Sequence, residues 1–139
     1  MKMNLDCLRA VLLAIEEEPC LSVSEIGEVS FTSISLQKLF NLLPEFDKEN
    51  ISYSVLLLID GDYIKTAFEY GSSVSQSCQI TRMTLAGHKL LENLRDEKRW
   101  QTVKSIASAV RNYSLSALSA IAEGVTSAAI QQAISKAGQ

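Results

Sequence analysis

Residues 47–70 read DKENISYSVLLLIDGDYIKTAFEY, and this stretch of sequence decides the fold. Apolar residues recur there at positions i, i+4, i+7 and i+8: Ile51, Val55, Leu58 and Ile59. This spacing predicts an amphipathic helix, and Asp47 is a suitable N-cap because its carboxylate accepts from free backbone N–H groups. Asp60-Gly61-Asp62 is predicted to end the helix, with Gly61 in the left-handed conformation. An aromatic-rich strand follows, and a helix that leads directly into a hairpin is typical of the recognition helix and wing of a winged-helix domain.

The rest of the first hundred residues fits the same architecture. The other predicted elements are a helix over residues 4–18, a short strand around Val29 and Phe31, a helix over residues 36–43, and strands over residues 63–70 and 78–83. Two short helices with a tight connection have the spacing of a helix-turn-helix. The order helix, strand, helix, helix, strand, strand therefore predicts an α+β, mainly helical protein with a winged-helix-like core.

Beyond the wing the sequence is helical. Thr84 is predicted to cap a helix that begins at Leu85, and a change of apolar face predicts a break near residues 96–98. We expect residues 1–97 to form the winged-helix-like domain and residues 98–139 to form a C-terminal helical extension. After Ser114, small residues recur at every fourth position: Ser116, Ala120, Gly124 and Ala128. Such residues let another helix approach closely, either on the domain itself or at the seam of a homo-oligomer.

The composition is that of a globular protein with a core, because 47% of its 139 residues are hydrophobic. The three cysteines, Cys7, Cys20 and Cys78, form no CxxC pair, which favours reduced thiols in a cytoplasmic protein over a disulfide or a metal site. The N-terminal apolar run is interrupted by Asp6 and Arg9, so we expect no signal peptide. No stretch reaches the roughly 18 to 20 apolar residues that a spanning helix needs, and we expect no membrane association.

The net charge of −3 hides a gradient along the chain. Residues 1–60 carry a balance of −6, whereas residues 80–112 carry a balance of +4. A nucleic-acid binder usually shows a basic footprint. Here the footprint follows the predicted wing and does not lie on the predicted recognition helix.

The sequence offers little catalytic chemistry. His88 is the only histidine, and we expect it to hydrogen-bond the strand backbone rather than to act as a general acid or base. No zinc spacing, glycine-rich phosphate loop or nucleophile elbow is present. Trp100 is expected in the core, and Arg95 is expected to form an ion pair with Asp96. We therefore predict a non-enzyme that holds no cofactor and no metal.

Seven residues are the candidate DNA contacts: Lys48, Asn50, Ser52, Tyr53, Lys65, Arg82 and Lys89. Asn50 is suited to adenine and Ser52 to a phosphate, and Ser54 is expected on the same exposed face. Lys48 is the sole positive charge on that face and Glu49 opposes it, so binding to duplex DNA is expected to be weak.

A second hypothesis is a non-enzymatic protein-interaction module. The acidic N-terminal half, the aromatic wing (Tyr63, Phe68 and Tyr70) and the small-residue face of the last helix favour it, because aromatic residues are enriched in interface cores.

Residues 81–104, TRMTLAGHKLLENLRDEKRWQTVK, resemble a family of small phage- and prophage-associated proteins of unknown function, with the hallmark L-T-x-x-G-H-x-F-L-x-x-I-R-D-D-x-x-W-x-x-V-K. The matching positions are Thr84, Gly87, His88, Leu91, Arg95, Asp96, Trp100, Val103 and Lys104. Met83, Leu90 and Glu97 depart from the pattern. The similarity covers about residues 5–104 and leaves out the C-terminal helix.

The resemblance implies a winged-helix-like core and a phage or bacterial origin, and it implies no reaction. We therefore expect a phage- or prophage-derived accessory protein that binds DNA as a transcriptional regulator. The alternative is that it binds a host or phage protein.

Overall fold

The computed structural model of the protein describes residues 1–67 and 78–138, which form a mixed α+β, mainly helical fold. In chain order the elements are α1 (Leu5–Glu17), β1 (Leu21–Val23), β2 (Val29–Phe31), β3 (Ile34–Ser35), α2 (Leu36–Leu42), α3 (Lys48–Asp60), β4 (Ile64–Ala67), β5 (Gln79–Met83), α4 (Leu85–Leu94), α5 (Glu97–Val110) and α6 (Leu115–Ala137). Phe68, Tyr70 and the polar tip predicted between the last two strands lie outside the described residues.

The strands form two antiparallel sheets. The main sheet has the order β3-β5-β4, and β1 pairs with β2 in a separate two-stranded hairpin. A strand around Val29 and Phe31 was predicted, and the structure has it as β2, with both side chains exposed. The partner of β5 in the main sheet is β3, where the buried Ile34 pairs with Ile80.

Local capping sets the ends of the helices, as the sequence predicts. Asp47, Thr84 and Ser114 each accept a hydrogen bond from the backbone N–H three residues later, at 2.8–3.1 Å. The predicted break at residues 96–98 is confirmed, since α4 ends at Leu94 and α5 begins at Glu97 with Asp96 as its N-cap.

The turn after α3 differs from the prediction. Gly61 has an ordinary φ of −82°, and the left-handed residue is Asp62, with φ +64°. A Cβ atom on Gly61 would lie 2.5 Å from the Tyr63 ring. Glycine is therefore required here by the close approach of that ring and not by the backbone conformation.

One apolar core joins the helices to the main sheet. The buried stripe of α1 consists of Cys7, Leu8, Val11, Leu12 and Ile15, which fit helical spacing. Trp100 and Val103 of α5 and Leu118 of α6 belong to the same cluster. The C-terminal helices thus share the core of the N-terminal part, and the division between residues 97 and 98 stays a prediction.

The small-residue face of α6 does not contribute to this packing. Ser116, Ala120, Gly124 and Ala128 are exposed, and a Cβ atom on Gly124 would have open space around it. Helix α6 packs through Leu118 and Ala122 instead. A role of the small-residue face in a homo-oligomer stays a prediction.

Candidate interaction surface

The hairpin β1–β2 projects from the body of the protein. Its strands are paired through Leu21 with Phe31, Ser22 with Ser30, and Val23 with Val29. The connecting turn is closed by hydrogen bonds from the N–H of Gly27 to Ser24 O at 2.9 Å and from the N–H of Ser24 to Glu28 O at 2.8 Å. Gly27 has φ +85°, a conformation that glycine adopts without strain, so the local sequence fixes a tight turn.

One face of the hairpin is apolar and open to solvent. Side chains alternate across a strand and paired residues share a face, so four apolar residues point the same way and the serines point the other way. Their exposed fractions are Leu21 50%, Val23 64%, Val29 63% and Phe31 67%, and Ile26 at the turn is 82% exposed. We call these five residues the apolar face.

The base of the hairpin is closed by hydrogen bonds between its two ends. The N–H of Thr32 donates to Cys20 O at 3.0 Å, and the Thr32 hydroxyl donates to Pro19 O. Next to it, Lys38 of α2 forms a 2.8 Å ion pair with Glu18 at the end of α1. The hairpin is therefore a fixed two-stranded unit, with hydrogen bonds at both its base and its turn.

Acidic residues flank the apolar face. Glu25 and Glu28 lie in the turn, and residues 16–18 at the end of α1 are all glutamate. Residues 19–37 contain no lysine or arginine. A surface with this character attracts positive charge and repels nucleic acid and anionic membranes.

A small cavity of about 60 Å³ lies under the base of the hairpin, with Cys20, Arg82 and His88 among its lining residues. This volume is room for one or two water molecules and is far below that of a pocket for a small molecule. His88 is exposed, and the predicted hydrogen bond to the strand backbone was wrong, since its ring bonds no residue that the structure describes.

The candidate DNA contacts on α3 are partly available. Lys48 is exposed, with its Nζ 5.6 Å from the centre of the Phe40 ring, while Asn50, Ser52 and Tyr53 are half-buried. The expectation for Ser54 was wrong. Ser54 is 1% exposed because it lies on the face of α3 that packs against the protein core, together with Val55 and Leu58.

The three basic residues beyond α3 lie on β4, β5 and α4. Lys65 and Arg82 are opposite each other on β4 and β5, and both are exposed, as is Lys89. Lys65 forms a 2.8 Å ion pair with Asp62, and this hydrogen bond holds the pKa of the Asp62 carboxyl below its usual range. Part of the positive charge of these two strands is therefore neutralised within the chain.

Two of the hallmark residues fasten α5 to α1. Asp6 Oδ1 accepts hydrogen bonds from Trp100 Nε1 and Lys104 Nζ, each at 3.0 Å. Arg9 donates to the carbonyl of Leu94 at 2.8 Å, where α4 ends, and lies 5.5 Å from the centre of the Trp100 ring. These contacts assign Trp100 and Lys104 a structural role, and the prediction that Trp100 is a core residue is confirmed by its 1% exposure.

The predicted ion pair between Arg95 and Asp96 was wrong. Arg95 instead bonds Glu16 at the end of α1 and Glu92 one turn back on α4, whereas the exposed Asp96 carboxylate accepts from the N–H of Arg99 as the N-cap of α5. The hydrogen bonds from Arg95 hold the pKa of the Glu16 carboxyl below its usual range.

Thr84 and Gly87 hold the start of α4 against the turn after α3. The Thr84 hydroxyl donates to Asp62 O at 2.7 Å and accepts from the N–H of Gly87 at 3.1 Å. A Cβ atom on Gly87 would lie 2.1 Å from the carbonyl oxygen of Tyr63, so only glycine fits there. Apart from His88, the hallmark residues named above therefore maintain the fold.

No group of three or more His, Cys, Asp and Glu side chains within residues 1–67 and 78–138 has the arrangement of a metal site. Cys7 and Cys78 are buried and Cys20 is exposed, all as free thiols. Burial raises the pKa of the Cys7 and Cys78 thiols, which makes them poor nucleophiles.

Residues 2–114 match the sequence profile of a family described as "Hypothetical protein (DUF2513)". The chain belongs to the DUF2513 family. It is 30% identical over 128 residues to an "Uncharacterized protein" of Haemophilus influenzae (strain ATCC 51907 / DSM 11121 / KW20 / Rd), and the alignment covers 91% of this chain and 97% of the relative. No solved structure matches the chain. In the part of the family member that the structure describes, no helix combines the length and the apolar character needed to cross a membrane.

The apolar face is the feature that sequence reasoning missed. The signal was present, because Leu21 and Val23 alternate with serine before the turn as Val29 and Phe31 do after it. Two such runs around a glycine-containing connection indicate a hairpin. A strand was predicted for the second run, Val29–Phe31, but not for the first, Leu21–Val23.

Proposed function

We propose that this protein is a non-enzymatic protein-interaction module that inserts the apolar face of its hairpin into a partner protein. The observation that carries the proposal is the exposure of five large apolar side chains, at 50–82%, on one side and at the tip of a fixed hairpin. Contiguous exposed apolar surface costs solubility, and where a protein keeps it, it commonly marks an interaction site.

The chemistry of the hairpin also limits the class of partner. Glu25 and Glu28 border the apolar face, and no basic residue lies between positions 19 and 37. A matching surface has an apolar pocket or groove with a positively charged rim. The hairpin of a second copy of this chain is a poor partner, because its own acidic turn would repel the acidic turn of the first.

The proposal is tested with two double variants that differ only in the face they change. Val23→Glu with Val29→Glu places charge on the apolar face at one cross-strand pair, and Ser22→Glu with Ser30→Glu places the same charge on the opposite face at the neighbouring pair. All these positions are exposed, so both variants should fold.

Full-length protein and both variants would be used to capture partners from cells of the source organism, and each candidate would then be purified and titrated directly. The proposal predicts a partner that binds the wild type and the serine variant and loses at least about 1.4 kcal/mol, tenfold in affinity, with the valine variant. Equal binding by the two double variants would contradict it.

DNA binding is a second candidate function. The order β3, α2, α3, β4, β5 and the strand order β3-β5-β4 support a winged-helix arrangement, with α3 in the position of the recognition helix. The charge on α3 weighs against it, because Lys48 is accompanied by Asp47, Glu49 and Asp60. We accordingly rank DNA-binding regulation second, and a phage or prophage origin stays a prediction of the resemblance.

Fluorescence anisotropy with random-sequence duplex DNA at about 50 mM and 200 mM salt separates the two functions, since phosphate contacts weaken steeply over this range. If the protein is a DNA-binding regulator, it should bind the duplex at the lower salt concentration and lose affinity for it when Lys65, Arg82 and Lys89 are replaced by glutamine. Absence of binding at the lower salt would eliminate this candidate and leave the interaction module.

A further inference from the structure

A second apolar surface lies between α1 and α2, away from the hairpin strands. Helix α1 carries a stripe at positions i, i+3, i+4 and i+7 beside its buried stripe: Ala10, Leu13, Ala14 and Glu17. The three apolar members are half-buried, so α1 has more apolar surface than the core covers. Leu42 and Leu43 at the end of α2 form the opposite wall.

The space between these walls is an open groove of about 500 Å³. Its floor on α1 covers residues 10–17, about 12 Å of helix. Leu42 is 44% exposed, so part of the wall is available for contact. A helix laid along such a groove contacts it through apolar residues at i, i+3, i+4 and i+7.

The end of the groove is negatively charged. Glu17 and Glu18 line it where α1 ends, and the last turn of α1 contains no basic residue. The unpaired carbonyl groups at a helix C-terminus add partial negative charge at the same place. Glu18 is paired with Lys38, whereas Glu17 is exposed and makes no ion pair with a described residue.

We propose that the groove between α1 and α2 binds a basic amphipathic helix of a partner protein. Apolar side chains of that helix fill the space between Leu13 and Leu42, and a lysine or arginine lies at Glu17. The charge of the rim selects a basic helix over an acidic one. This site is independent of the apolar face of the hairpin, so either proposal can stand without the other.

The test uses two model peptides of about 14 residues, one of leucine and lysine and one of leucine and glutamate, both in helical spacing. Titration of the full chain, followed by the NMR shifts of its backbone amides, should show binding of the leucine–lysine peptide, with shifts confined to α1 and the end of α2. The leucine–glutamate peptide should not bind.

Two lysine substitutions distinguish the groove from general attraction to an acidic protein. Leu42→Lys places a positive charge inside the groove, and Leu56→Lys places the same charge on α3, where the wild-type leucine is 43% exposed compared with 44% for Leu42. Groove binding predicts that Leu42→Lys weakens binding of the basic peptide at least about tenfold and that Leu56→Lys changes its affinity less than about twofold. Glu17→Gln should weaken binding as well.

The proposal is overturned if the basic peptide does not bind the wild type, or if the Leu42→Lys variant binds it as tightly as the wild type does. Binding that is lost with the Val23→Glu and Val29→Glu double variant would also overturn it. That last result would place the peptide on the hairpin, so failure of this inference is distinguishable from failure of the proposed function.

Discussion

Trp100 Nε1 donates a hydrogen bond to Asp6 Oδ1 at 3.0 Å, across 94 residues of sequence. The same carboxylate oxygen accepts from Lys104 Nζ at 3.0 Å. A single side chain in the first turn of α1 thus holds two residues of α5, and Trp100 itself is 1% exposed. This contact links α5 to α1 beside the apolar core that the C-terminal helices share with the N-terminal part.

Replacing Asp6 by alanine should destabilise the whole fold. The substitution leaves the buried indole N–H without an acceptor and removes the partner of Lys104, a loss of about 1–3 kcal/mol in the free energy of unfolding. Urea denaturation followed by the fluorescence of Trp100, the only tryptophan, measures it. Asp6→Asn keeps an acceptor oxygen and should lose less stability than Asp6→Ala. An unchanged urea midpoint for Asp6→Ala would show that the contact contributes nothing to stability.

Two Gly→Ala substitutions should have opposite effects on stability. At Gly87 the new Cβ atom would lie 2.1 Å from Tyr63 O, so α4 must move from the turn after α3, at a cost of several kcal/mol. At Gly124, in the interior of α6, the Cβ atom meets nothing within 4 Å, so alanine should stabilise by about 0.5–1 kcal/mol through its higher helix propensity. Thermal unfolding of the two variants compares them directly, and a stable Gly87→Ala protein would refute the close approach.

The ion pair between Glu16 and Arg95 should make part of the stability depend on pH. Arg95 lowers the pKa of Glu16 in the folded protein, so the pair stabilises above the unfolded pKa of about 4.3 and this contribution is lost as the pH falls through the folded pKa. Arg95→Gln should therefore lower the free energy of unfolding by about 1 kcal/mol or less at pH 7, and by progressively less below about pH 4. Lys98→Gln, an exposed position with the same change of net charge, serves as the control, and a constant loss over the whole pH range would contradict the pairing.

Thiol labelling should distinguish the three cysteines. Cys20 is exposed at the base of the hairpin, whereas Cys7 and Cys78 are buried and burial raises their pKa. One thiol should react with a thiol reagent at pH 8 within minutes, and the other two should react only as the protein unfolds. Rapid reaction of a second thiol in the native protein would show that Cys7 or Cys78 is more accessible than the structure describes.

Local signals in the sequence predicted the parts of the fold that depend on neighbouring residues. Asp47 and Thr84 were identified as caps because the acceptor and its donor are three residues apart. The turn after α3 was only half predicted. Gly61 was assigned the left-handed conformation because glycine adopts it without strain, whereas Asp62 is the residue that has it.

Contacts between distant residues were beyond the reach of pattern reasoning. Nothing in the order of residues indicates that Arg95 meets Glu16 rather than its neighbour Asp96, since the two partners are 79 residues apart. The partner of the strand Val29–Phe31 was missed for a different reason. No strand was predicted at Leu21–Val23, although this run lies close in the sequence and supplies the matching apolar residues.

The measurement that tests the central claim most directly is photo-crosslinking from the hairpin in cells of the source organism. A photo-reactive phenylalanine analogue is placed at position 31 on the apolar face or at position 30 on the opposite face, where the wild type has serine. The interaction module predicts a discrete adduct with one partner protein from position 31, absent from position 30 and abolished by Val23→Glu with Val29→Glu. Adducts of equal yield from both positions, or none from position 31, would contradict the assignment of the apolar face as the interaction surface.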